Sequence, residues 1–526
     1  MNSPTSGSQA SAPPAARREV LGPWGLLPLA ALLLALLFAA RALLLVDATS
    51  LWGDELSTAR KSFQPSLAYL FEYLRTDTHP PLYYGLLWLW GRWLPQTAPS
   101  LRLFSWGAYL LGGVVMAWQT RGMALALPRR RQGIALALAL LLAFCSPFPV
   151  RFSIEAKGYS LLVLALALAL LARRRWLAAP AAATAGRRSA LLGYGLALAA
   201  AGLIHYYGLF YAVALGLNDL ALAWLPARRS ARHLGSAAIA AGAALPSLGW
   251  IWISRRYLLQ GSEAGEWIGA PDAGLFEEVL ARALGPWPLP KLLLLALALL
   301  LYLRLRRPGP AAAPLVPRPW ALWLDHSGLQ AGLLLVVLVV GVSVVKPLAS
   351  ARYFVVLLPA LVPFLSLACA ALPSPGSGPA RWLGWLVGMA LVVSFWSQSF
   401  EQLDPAAPFT GSRETNDFRQ LVLASQDTPV RLSPRAHHFR TAEQLLQRAG
   451  ALPPSSGRWE DLRDLRRQVR RGEAPAALVL AETGGPDSVQ RRIDPSLERL
   501  QDLGYTCRRD LLDRPHLRLC RCRRPA

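Results

Sequence analysis

The sequence predicts a polytopic α-helical membrane protein of about eleven spans, followed by a small C-terminal α/β domain. Three observations carry that fold class. Of the 526 residues, 54% are hydrophobic and only 16% are charged, whereas a soluble chain is roughly a quarter charged. Runs of Leu, Ala and Val recur along residues 24–400, many close to the roughly 20 residues that cross a bilayer. Arginine clusters punctuate those runs, and placing all of them on one face satisfies the positive-inside rule. A formal net charge of +24 in a soluble chain would suggest nucleic acid. A mean hydropathy of +0.32 excludes that partner and leaves membrane lipid as the surrounding medium.

In order along the chain, residues 1–23 are Ser-, Ala- and Pro-rich and are expected to form a disordered cytoplasmic tail. The first span, 24–40, is long for a signal-peptide core and has no convincing cleavage site. Further spans are expected at 100–120, 133–150, 159–172, 190–205, 208–225, 235–253, 289–303, 329–346, 353–372 and 382–399. Arg129 to Arg131, Arg173 to Arg175, Arg187 with Arg188, Arg228 with Arg229 and Arg232, and Arg304 with Arg306 and Arg307 mark the inner side. The membrane domain is thus expected over 24–400, with an outer loop at 47–99. An odd number of spans places residues 401–526 outside the cytoplasmic membrane as the α/β domain. Within it, Thr415–Leu423 and Arg440–Arg448 look helical, Ala476–Leu480 looks like a strand, and Leu500–Cys522 looks like helix, turn and strand. Of five cysteines, Cys145 and Cys369 lie in apolar runs; in an oxidising exterior Cys507 is expected to pair with Cys520 or Cys522.

Acidic residues collect on the opposite face from the arginines. Asp47, Asp54, Glu55, Glu72, Asp77, Glu155, Glu263, Glu266, Asp272, Glu277 and Glu278 fall outside, whereas Glu19, Asp219 and Asp325 do not. Acids contribute little to orientation, so this asymmetry needs another cause, and an outward-facing site that uses carboxylates supplies one. All four lysines, Lys61, Lys157, Lys291 and Lys346, also fall at the outer boundary, where a lysine can snorkel.

The first outer loop is the richest segment. It carries Leu51-Trp52-Gly53-Asp54-Glu55, then Asp77-Thr78-His79-Pro80-Pro81-Leu82-Tyr83-Tyr84. Asp54 and Glu55 also suit an acidic first turn of a helix, and Pro80-Pro81 suits a rigid entry into another. The apolar stretch Leu82–Leu94 is expected to lie in the membrane interface, because the chain must be outside again before Arg102. Ionisable groups are thereby held at headgroup level, where a lipid-borne phosphate presents itself.

The Asp-Glu pair after the first span, with Asp-x-His-Pro-Pro-Leu downstream, resembles GT-C superfamily glycosyltransferases. Closest in pattern are the protein O-mannosyltransferases, the lipid A aminoarabinose transferases and related bacterial enzymes. The resemblance continues in Arg151-Phe152-Ser153-Ile154-Glu155-Ala156-Lys157-Gly158-Tyr159, in His205-Tyr206-Tyr207, and in Arg352-Tyr353-Phe354 followed by Leu358-Pro359. It implies a bacterial inner-membrane enzyme that moves a sugar, with inversion, from a polyprenyl-phosphate donor to an acceptor hydroxyl outside. The acceptor could be a lipid, a glycan or a protein. Asp54 matches the general base, with Glu55 orienting the acceptor or Asp54. Asp77 and His79 match the second motif and shape the sugar or acceptor pocket. The leaving phosphate needs positive charge, for which Arg60, Lys61, Arg151, Lys157 and Arg352 are the outer candidates. Glu155, Tyr159, His205 and Tyr353 come with the matched motifs as substrate-binding residues. Where relatives usually carry Arg, this chain has Lys157, which serves as a point charge without the bidentate fork. A divalent cation bound by the nearby carboxylates is left open.

A transporter or lipid flippase is the chief rival. Such proteins carry charges near the bilayer midplane and internal repeats, whereas here the acids gather at one face and no repeat is evident. A membrane-anchored scaffold leaves the outer acids unexplained.

Overall fold

The computed structural model describes residues 26–180, 184–225, 231–260, 268–284, 318–371, 417–454, 457–484, 486–514 and 516–525. In chain order the first span, α1 (Leu26–Leu44), leads into three short helices, α2 (Gly53–Ser62), α3 (Leu67–Leu74) and α4 (Leu82–Trp93). Then come α5 (Ala98–Ala124), α6 (Arg129–Cys145), α7 (Pro147–Ser153), α8 (Tyr159–Ala178), α9 (Thr184–Ile204), α10 (Tyr206–Trp224) and α11 (Ala231–Gln260). α12 (Ala273–Leu284), α13 (Arg318–Ser327), α14 (Leu329–Ser343), a 3₁₀ turn (Ala351–Leu357) and α15 (Leu358–Ala371) complete the bundle. A helix covers each expected span that falls among the described residues. Spans 289–303 and 382–399, the tail 1–23 and the acids Glu263 and Glu266 lie outside them.

Among the described residues, five helices are long and apolar enough to cross a membrane, and up to seven spans result if each of two bent pairs counts as one. α8 and α9, of 20 and 21 residues, carry arginines toward one end and are not among the five. The outer faces of the bundle are apolar: on α1, Leu29, Leu33, Leu36 and Leu44 are exposed, a surface that water would not tolerate at this extent and lipid does. α13 and α14 meet at 59°, and Gly328 makes the bend, because it adopts φ +80° and a Cβ there would sit 2.5 Å from Leu170. α9 and α10 break at His205. The next turn packs so tightly that a Cβ on Gly208 would fall 2.2 Å from the Ala201 carbonyl oxygen.

At the arginine-marked end of the bundle, Arg173 of α8 is buried against Asp219 of α10 and Asp325 of α13. It donates to the Asp325 carboxylate at 2.8 Å and to the Asp325 carbonyl oxygen at 2.7 Å. His233 of α11 closes the group, 3.1 Å from Asp219. Burying these charges is tolerable only because they satisfy one another, and the network ties four helices together.

In the C-terminal part, α16 (Phe418–Ala424), β1 (Val430–Leu432), α17 (Ala436–Arg448), β2 (Arg458–Glu460), α18 (Leu462–Arg470), β3 (Ala477–Thr483), α19 (Pro486–Asp502), β4 (Thr506–Arg514) and β5 (Leu517–Arg523) follow. They form one five-stranded sheet of order β2-β1-β3-β5-β4. β1 pairs in parallel with β2 and β3, joined through helical crossovers as parallel strands require; β5 runs antiparallel to β3 and β4. Cys507 and Cys522 face each other across β4 and β5 and form the disulfide, so of the two expected pairings it is the one with Cys522. Cys520 is buried in the tail core.

Candidate active site

α2 is a ten-residue polar helix, too short to stand alone in water. Its acidic first turn, Asp54 and Glu55, and basic last turn, Arg60 and Lys61, suit the helix dipole. Its remaining stability comes from outside contacts, which sort its charged side chains by direction.

Glu55 points inward and is 1% exposed. One carboxylate oxygen accepts from Arg102 Nε at 2.9 Å and from the Ala156 N–H at 2.8 Å. The other accepts from Arg102 Nη2 at 2.7 Å and from the Trp52 N–H at 3.2 Å, closing the start of the helix. Arg102 in turn donates to the carbonyl oxygens of Val46, Thr49 and Ser50. Of the two roles the sequence offers Glu55, orienting the acceptor or Asp54, this enclosure suits the second: it locks α2 to α5 and to the 154–158 turn. Arg102 was missed because it looks like a boundary residue; a lone arginine inside the outer end of an apolar span was the available signal.

Asp54 points the other way, and its side chain is 40% exposed. Lys157 Nζ lies 3.7 Å and Arg352 Nη1 3.5 Å from its Oδ2. Partial withdrawal from water raises the Asp54 pKa, but Lys157, Arg352, His79 and Lys61 outweigh that effect and hold the carboxyl below its ordinary value. Asp77 binds Lys61 at 2.6 Å and His79 Nδ1 at 2.8 Å. Desolvation raises Asp77, yet His79 and Lys61 reverse it and keep the carboxyl well below the usual range. Burial pushes His79 down to about 4, so its ring is neutral at neutral pH.

Tyr159, His205 and Tyr353 form one aromatic wall, joined by Tyr207 of the same His205-Tyr206-Tyr207 stretch. Ring centroids are 4.9 Å apart for His205 and Tyr353, 5.1 Å for Tyr207 and Tyr353, and 6.0 Å for Tyr159 and His205. His205 caps α10 by accepting from the Tyr207 N–H at 3.2 Å. α12 packs on the 3₁₀ turn that carries Arg352 and Tyr353, so residues 273–284 are docked. α4 buries Tyr83, Tyr84 and Leu87 and exposes Leu89 and Trp93, as an interfacial helix does.

The structure thus gathers Asp54, Lys61, Asp77, His79, Lys157, Tyr159, His205, Arg352 and Tyr353 around one end of the bundle. Glu155 is buried in the turn beside Lys157. Arg60 stands further along α2 with its guanidinium 5.7 Å from the Tyr73 ring centre, and Arg151 sits on α7. Two cations, and no second carboxylate among those described, face Asp54; as a divalent-ion site it offers one ligand. Among the described residues, metal-ligand spacing occurs at Asp219, His233 and Asp325, where Arg173 already fills the space.

No protein-family model and no curated protein matches the sequence. The structure is similar to ArnT from Cupriavidus metallidurans bound to undecaprenyl phosphate, at 14% identity and a TM-score of 0.55, over 94% of this chain and 97% of that one. The apo state of the same ArnT gives 14% identity and 0.54, over 94% and 98%. The apo oligosaccharyltransferase of Archaeoglobus fulgidus gives 13% identity and 0.43, over 82% of this chain and 64% of that one. The chain has the GT-C fold that its first-loop motif implied, and it is a polytopic membrane protein.

Proposed function

We propose that this chain is an inverting membrane glycosyltransferase that takes a sugar from a polyprenyl-phosphate carrier and attaches it to an acceptor hydroxyl on the outer face of a bacterial cytoplasmic membrane. Fold alone does not assign an activity. The observation that carries the proposal is Asp54: a partly open, ionised carboxylate between Lys157 and Arg352, in a loop otherwise locked by buried pairs.

The chemistry follows from those three groups. The acceptor oxygen attacks the anomeric carbon from the face opposite the phosphate, while Asp54 takes the hydroxyl proton. The bond from the anomeric carbon to the phosphate oxygen breaks, and its electron pair stays on the phosphate. Lys157 and Arg352 are aimed at that developing charge. Their pull on Asp54 weakens it as a base but keeps it deprotonated at neutral pH. As the proton arrives, the cations are released toward the leaving group. Similarity to an ArnT structure that contains undecaprenyl phosphate supports a carrier of this kind; the sugar and the acceptor are not assigned. A transporter reading would rest on the buried Arg173, Asp219 and Asp325, but that group is closed on itself and lies in the half of the bundle away from Asp54.

The test is Asp54→Asn in membranes supplied with a polyprenyl-phosphate-linked sugar. Release of polyprenyl phosphate should fall by on the order of 10²–10⁴-fold, the contribution of a general base, while the protein inserts and accumulates normally. Undiminished release by the variant would overturn the assignment. Reporter fusions that placed residue 438 in the cytoplasm would overturn the topology.

A further inference from the structure

The tail is not a separate appendage: it grips α2 at three points. Before the helix, the Arg419 N–H donates to Ser50 Oγ at 3.2 Å and its guanidinium pairs with Asp47. After the helix, Arg448 lies 5.8 Å from the Phe63 ring centre. Between them, His438 Nε2 is 3.1 Å from Ser57 Oγ. A Cβ on Gly53 would come within 3.6 Å of the same imidazole, so the ring rests on the first turn of α2. His438 is itself fixed from its own side, with ring centroids 4.0 Å from His437 and 5.6 Å from Phe418.

We propose that His438 of the tail is a positioning residue of the active site, which fixes the first turns of α2, and hence the Asp54 carboxylate, through Ser57. The inference rests on the glycosyltransferase reading given above and adds to it a residue from outside the membrane bundle. Ser57 is three residues after Asp54, about one turn on, where side chains share a helix face. Of the other ties on α2, Glu55 is pinned inward by Arg102, and Lys61, a turn beyond Ser57, is drawn to Asp77 at the far end. A change of about 1 Å at a reacting group costs up to roughly 10²-fold in rate, so a contact worth little to the fold has leverage on turnover. The contact does not depend on charge. Burial, with His437, Arg435 and Arg60 nearby, pushes the His438 pKa down to about 3, and the ring is neutral in any ordinary assay.

The experiment uses the full chain reconstituted in proteoliposomes with an undecaprenyl-phosphate-linked sugar pool, and reads undecaprenyl phosphate release. His438→Ala and Ser57→Ala should each lower kcat by about tenfold, with donor KM changed by less than about twofold. The double variant should lose no more than the worse single variant, since both remove one contact. His438→Gln, which keeps a hydrogen-bonding group, should recover most of the rate without moving the limbs of the pH profile. Losses that multiply in the double variant, or full activity of His438→Ala, would overturn the proposal.

Amide hydrogen exchange gives an independent arm. His438→Ala should speed exchange across residues 53–62 while leaving β3 (477–483) protected, which also shows that the tail has folded. Unchanged exchange in α2 would sink the tether whatever the enzyme transfers. Absence of release by the wild type, with exchange behaving as stated, would instead fault the glycosyltransferase reading.

Discussion

Replacing Glu55 with glutamine separates what holds the site from what acts in it. The substitution keeps the shape of the side chain and removes its charge. Each carboxylate oxygen now accepts from two donors, Arg102 Nε with the Ala156 N–H on one side, Arg102 Nη2 with the Trp52 N–H on the other. Whichever way the new amide turns, its –NH₂ faces two buried donors. Stranding a buried donor costs about 1–3 kcal/mol, so two cost about 2–6 kcal/mol; the loss of one partner from a buried ion pair typically costs about 3–5 kcal/mol. A value near 4 kcal/mol is on the order of a thousandfold in the folding equilibrium. Reversible SDS titration in bicelles, followed by tryptophan fluorescence, reads this as an earlier unfolding midpoint. Glu55→Met combined with Arg102→Met should cost less than the two single substitutions added together, since no charge is left unpaired. A Glu55→Gln midpoint equal to that of the wild type would refute the reasoning, and a double variant as unstable as the sum of its parts would refute the pairing.

Other outcomes follow from the same contacts. Lys157→Ala removes a cation that depresses Asp54, so the carboxyl pKa rises and the acid limb of the kcat/KM profile moves to higher pH, as pH–rate measurements of polyprenyl phosphate release will show. Asp77 is held below its unfolded value near 3.8, so its stabilisation is fully present above about pH 4 and is lost only as the pH falls toward the folded value. Protease cleavage within residues 63–81 should thus be flat from pH 7 to 5, and Asp77→Asn should raise it throughout that range. Opening the Cys507–Cys522 bridge, which spans 15 residues, should cost about 3 kcal/mol. It should appear as faster proteolysis of residues 417–525 under reductant, with the bundle unaffected.

Much of this architecture was legible in the residues. Apolar runs and arginine clusters located the helices because the membrane makes length and polarity stringent. The first-loop motif singled out Asp54, Asp77 and His79 because ionisable groups at the mouth of an apolar bundle need a reason to be there. The direction of a side chain was not legible. Adjacent Asp54 and Glu55 are chemically alike, and only the fold aims one at Lys157 and the other at Arg102. Nor were long-range partners visible: nothing near Asp219 in sequence announces Arg173, and nothing near Ser57 announces His438. Short strands such as Val430–Leu432 and Arg458–Glu460 are too brief for alternation to show, and tertiary pairing defines them. The Cys507–Cys522 bridge was decided by strand register, which places those two directly opposite.

The Ser57–His438 contact joins positions 381 residues apart. At translation speeds of about 5–20 residues per second, roughly 20–80 s separates the synthesis of its two halves. Through that interval the bundle's first loop has left the ribosome, while its brace has not been made. Competence is therefore deferred to a late step in biogenesis, when α17 has folded and docked. A chain stalled short of residue 438 would carry every residue of the Asp54 motif and still turn over about tenfold more slowly, so unfinished copies draw little on the pool of lipid-linked sugar.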